Sequence, residues 1–87
     1  MTKQENTMTL SQLQKGDTAK IIRLDVDKIL RNRFASFGVM PGEEVTVREC
    51  SLAKQTLEIQ IGSTTVALRK EEADKVIVDM RGGSIVI

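Results

Sequence analysis

The chain has 87 residues, with thirteen Lys or Arg against twelve Asp or Glu, a net charge of +1, and no His, Trp or Tyr. A single domain this short buries only roughly 60 to 65% of its unfolded surface, and its balanced charge provides no electrostatic footprint for strong binding to nucleic acid or an anionic membrane. The missing histidine removes the commonest general base and transition-metal ligand, and two phenylalanines leave little for stacking on bases or prolines. Proteins or small ligands are the expected partners. A lone Cys50 cannot form an internal disulfide, and MTKQENTMTL has no apolar run resembling a signal peptide, so a reducing, cytoplasmic setting is expected. No apolar stretch approaches the roughly 20 residues that span a bilayer, so direct membrane insertion is not expected.

Residues 1–9 are polar apart from two methionines and predict a loosely held arm. The pattern TLSQLQKGD then predicts a short helical turn, with Leu10 and Leu13 on one side and Lys15-Gly16-Asp17 as the turn that follows. Thr18 to Leu24 is β-rich, but Ala19 and Ile21 compete with Ile22 and Leu24 for the inward face, which leaves the register open. Asp25 or Asp27 can cap the next element, because a carboxylate there accepts orphan backbone N–H groups and complements the positive helix end.

That element is a helix over residues 27–37. Leu30, Phe34 and Phe37 share one face at helical spacing, with Lys28, Arg31, Asn32 and Ser36 around the rest of the wheel. Gly38 ends it, since positive φ after the last turn costs a residue with a Cβ about 1 to 2 kcal/mol and glycine little. Val39 can then pack back on Phe34. Pro41-Gly42 suits the two central positions of a type II turn, and beyond it Val45 and Val47 alternate with Thr46 and Arg48 as a half-buried strand.

CSLAKQ reads as an open loop in which Leu52 is exposed. Leu57, Ile59 and Ile61 alternate with Glu58 and Gln60, Gly62-Ser63 reads as a tight hairpin turn, and Thr64, Val66 and Leu68 line one side of the return strand. Residues 69–74 form a single charged helical turn before the last strand, Lys75 to Asp79. The pattern therefore predicts an all-β fold: a small five-stranded SH3-like barrel over residues 10–79, with one helix between its first two strands and short helical turns. Closure of this kind removes most exposed edges in a short chain. A split α+β sheet is the alternative. Residues 80–87 carry an Arg-Gly-Gly joint and three β-branched residues, and suggest an extra edge strand or a sticky tail.

The order LSQLQKGD, AKIIRL, RFASFGVMPGEEVTV and LEIQIGSTTVALRKEEADKVIV resembles the FeoA family, small cytoplasmic accessory proteins of bacterial ferrous iron transport. The resemblance covers about Leu10 to Val78. It is carried most specifically by Arg33 with Phe37-Gly38-Val39-Met40-Pro41-Gly42, and by Ala67-Leu68-Arg69-Lys70-Glu71-Glu72-Ala73. It implies an SH3-like barrel and a non-enzymatic protein that acts beside a membrane ferrous iron transporter bearing a cytoplasmic GTPase domain. A similar domain closes iron-dependent repressors, so a metal-responsive or transition-metal-binding domain is the alternative reading. With no DNA-binding domain in the chain, the transport role is favoured.

Gly38 and Pro41-Gly42 have a complete structural explanation in the helix stop and the turn. Arg31 and Arg33 point about 200° apart on a helix, so only one is expected to lie against the domain. Arg31 reads as a solvated side chain, while Arg33 either bridges helix and barrel or faces a partner. Together with Met40 and Leu52 in their loops, these two arginines are the candidate partner-binding residues. Cys50, Glu43, Glu44, Glu49, Asp17 and Asp25 are the available metal ligands. Glu43 and Glu44 face opposite sides of a strand and cannot chelate together, so no metal site or cofactor is expected. Cys50 reads as a small half-buried hydrophobe. No Ser or Cys has a histidine to activate it and no phosphate-binding glycine loop is present, so the chain is not expected to be an enzyme.

Overall fold

The computed structural model describes residues 7–51, 53 and 55–80. Six antiparallel strands form one bent sheet in the order β1-β6-β2-β3-β4-β5, an SH3-like, mostly β architecture. The strands are β1 (Thr7–Thr9), β2 (Thr18–Leu24), β3 (Glu44–Cys50), β4 (Thr56–Ile61), β5 (Thr64–Arg69) and β6 (Val76–Asp79). A 3-10 turn (Leu10–Gln12) follows β1, helix α1 (Lys28–Ser36) joins β2 to β3, and the single turn α2 (Lys70–Ala73) leads into β6.

The sheet has one strand more than the five expected, and it comes from the end of the expected arm. Thr7, Met8 and Thr9 pair with Asp79, Val78 and Ile77 of β6. A three-residue strand with one apolar side chain has no alternation to detect, and it forms because β6 offers it an edge. The turn that follows is closed by Gln12, whose Oε1 accepts the Thr9 backbone N–H at 2.8 Å. Residues 81–87 of the expected tail lie outside the described residues. Met80 is half-buried against the core.

The register of β2 resolves through a bulge. Ile21 lies opposite Val78 and Arg23 opposite Ile77, so Ile22 is the extra residue. Its insertion moves the alternation by one place, which buries Ala19, Ile21 and Leu24 together and leaves Ile22 38% exposed. A second bulge in β3, between Val47 and Glu49, places Cys50 opposite Leu57, half-buried against the core.

At the start of α1, Asp27 is the capping residue, with its Oδ1 accepting the Leu30 backbone N–H at 2.9 Å. Asp25 instead pairs with Arg23 at 3.0 Å. At the other end Gly38 takes φ +89°. Its N–H donates to Ala35 O at 3.0 Å, and the Val39 N–H donates to Phe34 O at 2.9 Å. These two bonds make a Schellman cap, and the contact that accompanies it joins Phe34 and Val39, both fully buried. Gly42, at φ +95°, completes the Pro41-Gly42 turn, which the Glu43 N–H closes on Met40 O at 3.2 Å. The turn is tied to β2, since the Gly42 N–H donates to Ile21 O and the Ile21 N–H to Glu43 O, both at 2.8 Å.

Phe37 departs from expectation. It is the residue that caps α1, outside the helical turn, and it is 39% exposed, whereas Phe34 is 1% exposed. The chain leaves helical geometry at Phe37, so the i, i+4, i+7 spacing no longer directs its side chain inward. Leu30 is half-buried, which leaves Phe34 as the main apolar contact of α1.

Candidate functional site

The exposed residues of α1 and the β2–α1 connection border an open groove of about 700 Å³. Leu24, Val26, Ile29 and Leu30 supply its apolar surface, while Arg31, Arg33 and Lys75 supply positive charge. Asp25 and Asp27 also line it, but Asp25 is paired with Arg23 and Asp27 caps the helix. Arg31 and Arg33 have no ion-pair partner among the described residues. The groove is therefore part apolar, with three cations against two carboxylates, and its two unpaired guanidinium groups favour an apolar, acidic counterpart.

Arg31 and Arg33 border this same groove, and both are exposed. Arg31 is solvated, and of the two alternatives for Arg33 the exposed one holds. A short helix whose main buried residue is Phe34 leaves most of its circumference in solvent. Met40 is 38% exposed at its turn and does not line this groove. Leu52 lies outside the described residues. The structure thus brings two of the four candidate partner residues together.

Ile29, Val26 and Lys75 are the groove residues that sequence reasoning missed. Ile29 is 81% exposed, the most exposed large apolar side chain among the described residues. A signal for it existed: it is apolar yet lies off the stripe formed by Leu30 and Phe34. Lys75 had none, because it reaches the groove only through β6 pairing beside β2.

A polar contact between residues 63 positions apart also escaped the pattern. Ser11, 8% exposed, donates its hydroxyl to Asp74 Oδ1 in a very short hydrogen bond, and α2 packs on the 3-10 turn. The Ser11 hydroxyl holds the Asp74 carboxyl below the usual carboxylate range, against the opposing effect of desolvation. The Lys70 hydrogen bond at 3.2 Å and the charges of Lys70 and Lys75 add to the lowering. Among the described residues, no three Cys, Asp or Glu side chains are grouped so as to hold a metal ion. No helix among them is long and apolar enough to cross a membrane.

Residues 8–80 match the family described as the FeoA domain. A candidate Fe(2+) transport protein A of Helicobacter pylori strain J99 is 39% identical over 72 residues, covering 82% of this chain and 92% of its own length. In Porphyromonas gingivalis strain W83, a fusion of Fe(2+) transport protein A with the Fe(2+) transporter FeoB is 33% identical over 73 residues, which are 84% of this chain and 9% of the fusion. The solution structure of iron(II) transport protein A from Clostridium thermocellum superposes with a TM-score of 0.81 at 36% identity, covering 87% of this chain and 47% of that one.

Proposed function

Because the chain belongs to the FeoA family, we propose that it is a non-enzymatic cytoplasmic accessory protein of ferrous iron uptake that binds the cytoplasmic GTPase region of the membrane transporter. The observation that carries this reading is the fusion relative, in which a segment matching 84% of this chain is joined to the transporter in one polypeptide. Fusion holds two modules at an effective concentration near millimolar for a short linker. A separate chain has to obtain its association from surface contacts. The α1 groove suits that need, with Ile29 as an apolar anchor and Arg31 and Arg33 as cations free to pair with carboxylates on the partner.

The non-enzymatic part of the reading is supported by the residue inventory. With no histidine, no phosphate-binding loop and no activated nucleophile, an effect on GTP turnover has to operate on the partner, by binding one of its conformations more tightly than another. Calorimetric titration of the purified GTPase region with this protein, in the absence and presence of GDP or a non-hydrolysable GTP analogue, tests the proposal. A saturable complex whose affinity differs between nucleotide states is expected. Absence of heat and of co-sedimentation in all three states, at concentrations near those a fusion provides, refutes it.

A further inference from the structure

The outer strand β5 carries an unguarded edge. Its pairing with β4 places Ile61 opposite Thr64 across the two-residue Gly62-Ser63 turn, so Ile61/Thr64, Ile59/Val66 and Leu57/Leu68 are the pairs that exchange hydrogen bonds. The backbone N–H and C=O of Thr65, Ala67 and Arg69 consequently point away from the sheet. Arg69 verifies the parity, because its N–H is taken by Glu72 Oε1 on the side away from β4, at 2.9 Å. Thr65 and Ala67 keep their outward groups. Among the described residues, no strand pairs with this side of β5.

Edge strands are normally blunted by shortness, proline, bulges or charge. The opposite edge, β1, is three residues long, while β5 is six, with no proline and no bulge. The outward side chains near its middle, Thr65 and Ala67, are small. The edge is also not flat to solvent: Arg33 of α1 and the capping residue Phe37 stand across from it and enclose a slot of about 260 Å³, which Phe34 also lines. An edge strand facing a helix across a slot is suited to strand addition, with main-chain hydrogen bonds for affinity and side-chain contacts for selectivity.

We propose that this slot binds an extended peptide segment of a partner protein, added alongside β5, with one large aliphatic side chain against Phe37 and a carboxylate beside Arg33. Charge decides the class of peptide. Glu72 keeps its negative charge but is engaged by the Arg69 backbone N–H, whereas the Arg33 guanidinium has neither an ion-pair nor a hydrogen-bond partner among the described side-chain contacts, so it is the charged group at the slot left open to a partner carboxylate. A second copy of the chain fits less well, because each copy carries α1 beside its own β5 and edge-to-edge pairing brings the two helices together. A single strand occupies only about 4.8 Å across the sheet. The inference rests on this edge and does not require the transporter to be the partner.

The test uses a phage-displayed library of random peptides selected on the whole protein. Selected peptides are titrated against wild type, Ala67→Pro and Arg33→Glu, with amide hydrogen exchange followed by NMR. Proline is tolerated at an edge position whose N–H faces outward, so Ala67→Pro removes the donor while the β4 ladder stays intact. Expected are peptides with an aliphatic residue close to Asp or Glu, roughly tenfold or greater weakening in each variant, and slowed exchange of the Thr65 and Ala67 amides on binding. The wild-type exchange measurement decides the matter even if Ala67→Pro does not fold. No selected peptide, or peptides that leave both amides unprotected, overturns the proposal. Binders indifferent to Arg33→Glu overturn the acidic assignment. Concentration-dependent self-association that protects the same two amides means that the edge takes a second copy, and overturns the peptide assignment.

Discussion

Phe34 and Phe37 stand three positions apart and differ almost completely in what they contribute. Phe34 is 1% exposed and sits in the core with Val39 against it, so Phe34→Ala is expected to cost about 3 to 5 kcal/mol, a large share of a small domain's stability. Phe37 is 39% exposed, and Phe37→Ala is expected to cost much less. Urea denaturation of the two variants checks the pair, and equal losses would mean that the cap residue is packed. A second residue-scale expectation concerns acid. Because the folded-state pKa of Asp74 is depressed, its contribution to stability is complete above the ordinary carboxylate value of about 4 and is lost as pH falls through the lower folded value. Ser11→Ala removes the largest cause of the lowering. Carboxyl NMR titration should then show the Asp74 pKa moving up towards the ordinary range, and an unmoved midpoint would rule Ser11 out as the cause.

At the scale of elements, the Ile22 bulge in β2 and the Schellman cap that ends α1 decide which of their neighbours reach the core. The bulge lets Ala19, Ile21 and Leu24 all reach the core although Ile21 and Leu24 are three apart, a spacing no regular strand can bury on one face. Ile22→Lys is therefore expected to leave the thermal midpoint within a few degrees of wild type, while Ile21→Lys, which places a charge at a site 1% exposed, should prevent folding. Circular dichroism melts of the two proteins distinguish this arrangement from the opposite register, in which the outcomes would be exchanged. The cap works with the turn after it. Gly38 and Gly42 bracket Val39 to Pro41, and the bonds between Gly42, Glu43 and Ile21 anchor the exit of α1 to β2, which is also the strand leading into α1. The helix is thus tied at both ends to one strand.

For the whole molecule, the main prediction concerns the α1 groove. Ile29→Asp combined with Arg31→Glu changes two exposed side chains, so the melt should stay close to that of wild type. Binding to the transporter's GTPase region is expected to fall by at least roughly tenfold, because the first change puts an unpaired carboxylate in an apolar contact and the second reverses a charge. Calorimetry and ferrous iron uptake in cells measure the two consequences. A folded double variant that binds and supports uptake like wild type would remove this groove from consideration and leave the β5 slot as the surface to test.

Helix period, turn chemistry and strand alternation are local properties, and the sequence by itself determined what depends on them. The stop at Gly38, the Pro41-Gly42 turn, the β4–β5 hairpin and the inward sets Val45/Val47, Leu57/Ile59/Ile61 and Val66/Leu68 follow from residues within a few positions of one another. The SH3-like class follows from their order, and the family resemblance adds to it. Only the tertiary structure could decide the remainder, because each such feature needs a neighbour distant in the chain. The register of β2 was open until β6 and β3 lay on either side of it. β1 exists only because the edge of β6 was free, and Ser11 meets Asp74 across 63 positions of sequence. The exposure of Ile29 and Phe37 belongs to the same kind. A helical wheel shows which residues share a face, but how much of a nine-residue helix is covered depends on what it packs against, and here that contact centres on Phe34.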